Sequence, residues 1–318
     1  MEMRNRLGLA LTATVLAGLG LAGCGASSSG DDPAAGGQTR EIVHAMGTTK
    51  VPVAPTRVVV LDTDKIDTAL TLGVTPVGAA RAGELTGWPT YIGADATKDI
   101  KELGTLQEPN LEAIQALRPD LILGSKFRQE KYYDELAKIA PTVFTENVGK
   151  PWKENFLLDG KALGKEELAK EKLAAYEARA KAVGAKIGNP GTAKVSIVRF
   201  MPTEIRIYGP ESFAGIVVGD TGLGRPERQL LTGKQDRRFD KVSPERVSEV
   251  DGTVIFVAAY GPKAAEQQTA VTAGPLWKNL GAVKAGKAHV VPDETWMTGI
   301  GVTAAGKILD DLEKHLAA

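Results

Sequence analysis

Short β-branched runs alternate with helical patterns along most of the chain. Strands are expected at Arg57-Val-Val-Val-Leu61, Leu121-Ile-Leu123, Ala193-Lys-Val-Ser-Ile-Val198, Thr253-Val-Ile-Phe-Val257 and His289-Val-Val291. Helical patterns follow the first two, over Lys65 to Leu72 and Gln129 to Ala140. Apolar runs this short read as strands buried on both faces, and their alternation with helices predicts an α/β fold with doubly wound parallel sheets. Between the two groups of strands, Lys165 to Ile187 is rich in Ala, Lys, Glu and Leu, with an irregular apolar face at Leu168, Leu173, Tyr176 and Val183. At about 1.5 Å per residue such a helix spans roughly 35 Å, the width of a small domain. Gly188-Asn-Pro-Gly191 stops it. The pattern predicts a strut joining two lobes.

An internal echo supports that division. Asn110-Leu-Glu112-Ala-Ile114 leads to Asp120-Leu-Ile-Leu123, and Ser243-Pro-Glu245-Arg-Val247 leads to Thr253-Val-Ile-Phe256. Each copy has an N-cap residue, an acid two places on, a short helix and an apolar strand at the same offset. Glu112 and Glu245 are stabilised by the positive helix end, which explains either one alone. Matched in two lobes, they also fit equivalent docking points for a partner with two-fold symmetry.

The N-terminus sets the compartment. Arg4 and Arg6 precede an apolar run over residues 7–22, followed by Leu21-Ala22-Gly23-Cys24. A basic head, a brief apolar stretch and small residues at the cut describe a secretory signal too short for a stable span. Cys24 is the only cysteine, so no internal disulfide is possible. The segment that follows, Ser-, Gly- and Ala-rich, reads as a flexible tether. Loss of residues 1–23 leaves 37 basic against 38 acidic side chains. That balance argues against a nucleic-acid partner and against electrostatic adhesion to a membrane. The expected divisions are a signal over 1–23, a tether over 24–40, a first lobe over 41–150, a connecting segment over 151–188 and a second lobe over 189–318.

Several stretches together resemble the periplasmic-binding-protein-like lipoproteins that deliver ferric siderophores, haem or cobalamin to ABC importers. They are Gly47-Thr-Thr-Lys-Val-Pro-Val with Pro55-Thr-Arg-Val-Val-Val-Leu-Asp62, Pro109-Asn-Leu-Glu-Ala-Ile with Arg118-Pro-Asp-Leu-Ile-Leu-Gly124, and Ile139-Ala-Pro-Thr-Val143. Val195-Ser-Ile-Val-Arg-Phe200, Ile205-Arg-Ile-Tyr-Gly-Pro210, Ser243 to Val257, Glu294-Thr-Trp and Gly299-Ile-Gly301 continue the match in order. The resemblance implies two Rossmann-like lobes joined by a single long helix, a ligand cleft between them, and little closure on binding. It implies a lipid on Cys24, which would tether the protein to the outer face of the cytoplasmic membrane. It also implies that Glu112 and Glu245 dock on arginines of a dimeric ABC permease. Arg199-Phe200 and the run from Arg206 to Phe213 are together most similar to the actinobacterial type that takes up hydroxamate siderophores such as ferrioxamines. One departure is Thr105-Leu106-Gln107, where some hydroxamate binders carry an arginine. A non-enzymatic, monomeric carrier is expected, with iron present only inside the bound siderophore and no cofactor of the protein's own.

A ferric hydroxamate presents a shell of oxygen acceptors and apolar methylene arms, so it needs Arg forks and aromatic walls. Arg199 ends a predicted strand, and ligands of open α/β folds bind beyond the carboxyl ends of strands. Arg206 and Tyr208 share a strand face. Phe213, Tyr260 and Trp296 fall in loops after strands or at helix starts. The first lobe offers residues 62–64, Arg81 with Trp88 and Tyr91, and Phe127 with Arg128. An arginine at a strand end serves equally as a salt-bridged rim group, Trp88 beside Pro89 as a loop cap, and Trp152 and Trp277 as packing between lobes. Gly299-Ile-Gly301 admits either an anion at a helix start or close helix packing. The three histidines have no ligand spacing: His44 and His315 read as solvated and His289 as structural. Haem would need an axial group such as Tyr208 or Tyr260; cobalamin and catecholate chelates are the other ligands weighed. A tethered hydrolase lacks Gly-x-Ser-x-Gly and His-Glu-x-x-His.

Overall fold

The computed structural model describes residues 38–83, 87–188 and 190–317. Cys24, the signal and most of the tether lie outside them. A hairpin opens the described chain, β1 (Thr39–His44) paired in antiparallel register with β2 (Gly47–Pro52). Thr39 and Arg40, read from the sequence as the end of the tether, are therefore in a strand. His44, expected in solvent, is 9% exposed. Its Nδ1 accepts from the Phe144 backbone N–H at 3.2 Å, which joins the hairpin to the first lobe. Burial lowers its pKa.

The first lobe is a five-stranded sheet of β3 (Val58–Val60), β4 (Gly78–Arg81), β5 (Lys101–Thr105), β6 (Leu121–Ser125) and β7 (Thr142–Thr145). Its order is β5-β4-β3-β6-β7 and every pairing is parallel. The second sheet has the order β10-β9-β8-β11-β12, with β8 at Val195–Phe200, β9 at Ile205–Tyr208, β10 at Phe239–Val242, β11 at Val254–Ala259 and β12 at Ala288–Val290. Here the sheet is mixed, because β9 runs antiparallel to both β8 and β10. Only four residues separate β8 from β9, too few for the crossover a parallel pair requires. The two copies of the internal echo lead into β6 and β11, each next to the central strand of its sheet. The second copy's helix, Pro244–Val250, is 3-10 rather than α.

Two helices link the lobes, Trp152–Ala162 and the long Glu166–Ile187. Trp152 is edge-on to Tyr176 of the long helix at 5.1 Å and to Phe213 of the second lobe at 5.5 Å. Gly184 lets the long helix come so close that an added Cβ would lie 1.9 Å from the Thr221 carbonyl oxygen. A second tie runs through the C-terminal helix Val302–Leu316, which packs on the long helix and on Thr63–Thr71 of the first lobe. Asp67 of the first lobe accepts from the Thr303 and Ala304 N–H groups at 3.1 and 3.0 Å and so caps that helix. Burial pushes its carboxyl up to about 6. This decides the role of Gly299-Ile-Gly301. A Cβ on Gly301 would strike Asp67 and one on Gly299 would strike Tyr91, so close packing explains both glycines, and the helix start is already occupied by a carboxylate.

Candidate functional site

A cavity of about 210 Å³ lies between the lobes. The first lobe lines it with Thr63 after β3, Ala82 and Gly83 after β4, Leu106 and Gln107 after β5, and Arg128 after β6. The second contributes Arg199 at the end of β8, Tyr260 after β11, and Met297, Thr298 and Ile300 after β12. Every contribution comes at or beyond the carboxyl end of a strand, where the helix-forming turns leave side chains free to converge.

Each of the two arginines is paired with a carboxylate. Asp293 grips Arg199 from behind: Nε donates to Oδ1 at 2.6 Å and Nη2 to Oδ2 at 2.7 Å. Both side chains are 9% exposed. Nη1 of Arg199 donates to the Tyr208 hydroxyl at 3.2 Å, and the guanidinium lies 4.6 Å from the Tyr260 ring centre. In the first lobe Arg128 pairs with Asp62, a fully buried carboxylate that also accepts from Ser125 Oγ at 2.7 Å and from the Thr63 N–H at 2.8 Å. Burial pulls both guanidiniums down; Asp62 at Arg128, and Tyr208 with Asp293 at Arg199, more than offset it, so both remain charged. Arg199 has five N–H donors, three of them engaged here. The cleft thus presents donors whose charge is already balanced.

Behind Asp62 lies a second buried charge cluster. Lys65 Nζ donates to Asp159 at 2.8 Å, Asp64 at 3.0 Å and Thr145 at 2.9 Å, and Asn155 donates to Asp64 at 3.2 Å. Asp159 and Asp64 keep Lys65 charged against its burial, while burial pushes the Asp159 carboxyl up. The cluster clamps helix Thr63–Thr71 to helix Trp152–Ala162 and so fixes the floor that carries Asp62.

The other sequence candidates divide. Tyr208 belongs with Arg199. Arg206 is the cross-strand partner of Arg199, lies 4.3 Å from the Phe239 ring centre and pairs with Glu204. Phe127 is 53% exposed and faces a separate hollow of about 740 Å³, which Glu146, Lys150, Glu211 and Arg238 also line. Arg81 is drawn to Glu102 at 3.0 Å and does not line the cavity, although its neighbours do. Trp88 packs half-buried on the core, which supports its role as a loop cap.

Four further expectations are corrected. Trp296 is fully buried, stacked on Phe256 at 4.6 Å with Nε1 donating to Asp311 at 2.8 Å. Phe213 is 5% exposed and belongs to the aromatic joint with Trp152. Both begin or end helices beside the cleft, but their first turns direct them inward. Trp277 packs on Phe200 inside the second lobe rather than between lobes. His315, expected in solvent, stacks on His289 at 3.8 Å. Sequence reasoning passed over Asp293, whose only signal was an acid in a first helical turn.

Glu112 and Glu245 are exposed in the first turns of their helices. Among the described residues no helix is long and apolar enough to cross a membrane, and no group of three or more His, Cys, Asp or Glu is placed to hold a metal.

The periplasmic binding protein family model matches residues 58–295. The chain is 40% identical over 304 residues to the probable siderophore-binding lipoprotein YfiY of Bacillus subtilis, covering 93% of each. Among solved structures it is similar to Staphylococcus aureus SirA complexed with staphyloferrin B, with a TM-score of 0.75, 36% identity and coverage of 87% of this chain and 98% of that one. The triscatecholate siderophore binding protein FeuA of Bacillus subtilis, complexed with ferri-bacillibactin, matches with a TM-score of 0.74 and 25% identity over 87% of this chain and 98% of that one.

Proposed function

The chain belongs to the periplasmic binding protein family, and from that premise we propose that it captures a ferric hydroxamate siderophore outside the cytoplasm and hands it to an ABC importer. The coarse part of this reading, a ferric siderophore carrier, is supported by relatives named or titled for siderophore binding across nearly the whole chain. The finer part rests on one observation: the cleft arginines, one from each lobe, are each paired with a carboxylate. Three singly charged hydroxamates neutralise a ferric ion, whereas three doubly charged catecholates leave a trianion. A site with N–H donors but balanced charge suits the neutral complex, because an uncompensated anion would be desolvated there without an opposing charge. Tyr260 offers a flat face to the methylene arms.

The test is a fluorescence or calorimetric titration against a ferric trishydroxamate, a ferric tris-catecholate, haem, cobalamin and the iron-free hydroxamate. The ferric trishydroxamate is expected to bind most tightly. The iron-free chain should bind much more weakly, since ordering it costs about 0.5–1.5 kcal/mol for each flexible group immobilised. Tighter binding of catecholate or haem would remove the hydroxamate from the reading and leave the family intact.

A further inference from the structure

We propose that Asp62 and Asp293 set the charge selectivity of the cleft, acting through Arg128 and Arg199 rather than by touching ligand. The inference rests on the assignment of this cavity as the siderophore site. Neither acid lines the cavity; each stands behind an arginine that does. Their contacts go beyond what orienting a side chain requires. Asp293 takes two of the guanidinium donors in a near-parallel fork, and Tyr208 already fixes a third. Asp62 is held by Ser125 Oγ and the Thr63 N–H, so it is rigid before Arg128 arrives. Both pairs are shielded from water, and a charge there is poorly screened. Asp64 also acts on Arg128 from the neighbouring cluster, so deleting either carboxylate's charge shifts the charge at the ligand's oxygen shell toward positive, more cleanly at Asp293 than at Asp62. A merely structural acid would alter all ligands alike; a charge-setting acid alters them according to their own charge. The arrangement is repeated from the two lobes on unrelated local sequences, Asp62 as an N-cap and Asp293 inside a first turn.

The experiment compares wild type with Asp293→Asn and Asp62→Asn, each titrated with an uncharged ferric trishydroxamate and with a trianionic ferric tris-catecholate. Each substitution should raise the ratio of catecholate to hydroxamate affinity by about tenfold or more. Arg199→Gln is the converse: it leaves Asp293 uncompensated and should lower that ratio. This third variant also carries the test if either asparagine variant does not fold. A ratio that stays at the wild-type value in the folded variants, with both affinities falling together, overturns the proposal. The wild-type order of affinities tests the hydroxamate reading separately, because the change in ratio is read whichever complex the wild type prefers.

Discussion

At the scale of single residues, the cleft separates two aromatic and cationic groups that look interchangeable in sequence. Arg199 faces the cavity with donors to spare, while Trp296, three residues beyond Asp293, is sealed in the core. Charge-assisted hydrogen bonds contribute about 1.5–3 kcal/mol, so Arg199→Ala is expected to weaken the bound ferric complex by roughly ten- to a hundredfold. Arg199→Lys should recover only part of that, since an ammonium has no planar fork to share between Asp293 and a ligand. Trp296→Phe should behave oppositely: it keeps the ring against Phe256 and removes the bond to Asp311, costing about 1 kcal/mol of stability. Parallel titrations and thermal melts decide it. A loss of affinity in Trp296→Phe would return that residue to the cleft wall.

At the scale of elements, the long helix Glu166–Ile187 is less a free strut than a packed wall. Its apolar face in sequence was irregular because the contact is made partly by a glycine, which carries no hydrophobic signal. With the Thr221 carbonyl 1.9 Å from where a Cβ would stand, Gly184→Ala must push the helix off the second lobe. Overpacking of this kind costs about 1–3 kcal/mol. Gly219, exposed in the neighbouring helix with nothing within 4 Å of its Cβ position, is the control. There alanine should stabilise by about 0.5–1 kcal/mol through helix propensity. Denaturant midpoints of opposite sign are expected, and a neutral Gly184→Ala would contradict the packing described for the helix. The helix after β6 teaches a related point. Expected to be continuous over Gln129 to Ala140, it is broken into Lys126–Gln129, a 3-10 turn and Tyr133–Ile139. The break brings Gln129 under the sheet, where Nε2 donates to the Leu61 and Leu106 carbonyls. That anchors the turn carrying Arg128.

At the scale of the whole molecule, the lobes are joined at more than one place. The linking helices join them, and Asp67 with the C-terminal helix and Thr90 with Glu294 tie them again. Several independent ties are expected to resist hinge opening. Under the proposed function a permease recognises the loaded carrier by fixed surface points. Glu112→Ala with Glu245→Ala should therefore abolish uptake in cells while leaving ligand affinity unchanged, because both acids are exposed and outside the cavity. Normal uptake would dismiss the docking role, and lost affinity would move the acids into the site. In the same cells Cys24→Ser should shift the protein from the membrane fraction to the medium, since a lipid on that sulfur is the proposed anchor.

The strands were legible wherever β-branched residues ran together, because a strand buried on both faces must be apolar throughout and little else in a sequence looks like that. The two-lobed plan was legible too, from a repeated cap, acid and strand at equal offsets. Arg199, Tyr260 and Arg128 could be chosen as cleft residues from their place at or just after strand ends, since chain geometry alone sends strand ends to one edge of a sheet. What tertiary structure decided was direction and pairing. Whether Trp296 and Phe213 turn inward depends on which helix covers them, and the antiparallel course of β9 on a short connection. Most of all, the neutralisation of the arginines joins Asp62 to Arg128 and Asp293 to Arg199 across 66 and 94 positions. Local pattern carries no trace of a charge pair so distant in sequence. It forms only when folding buries both partners side by side.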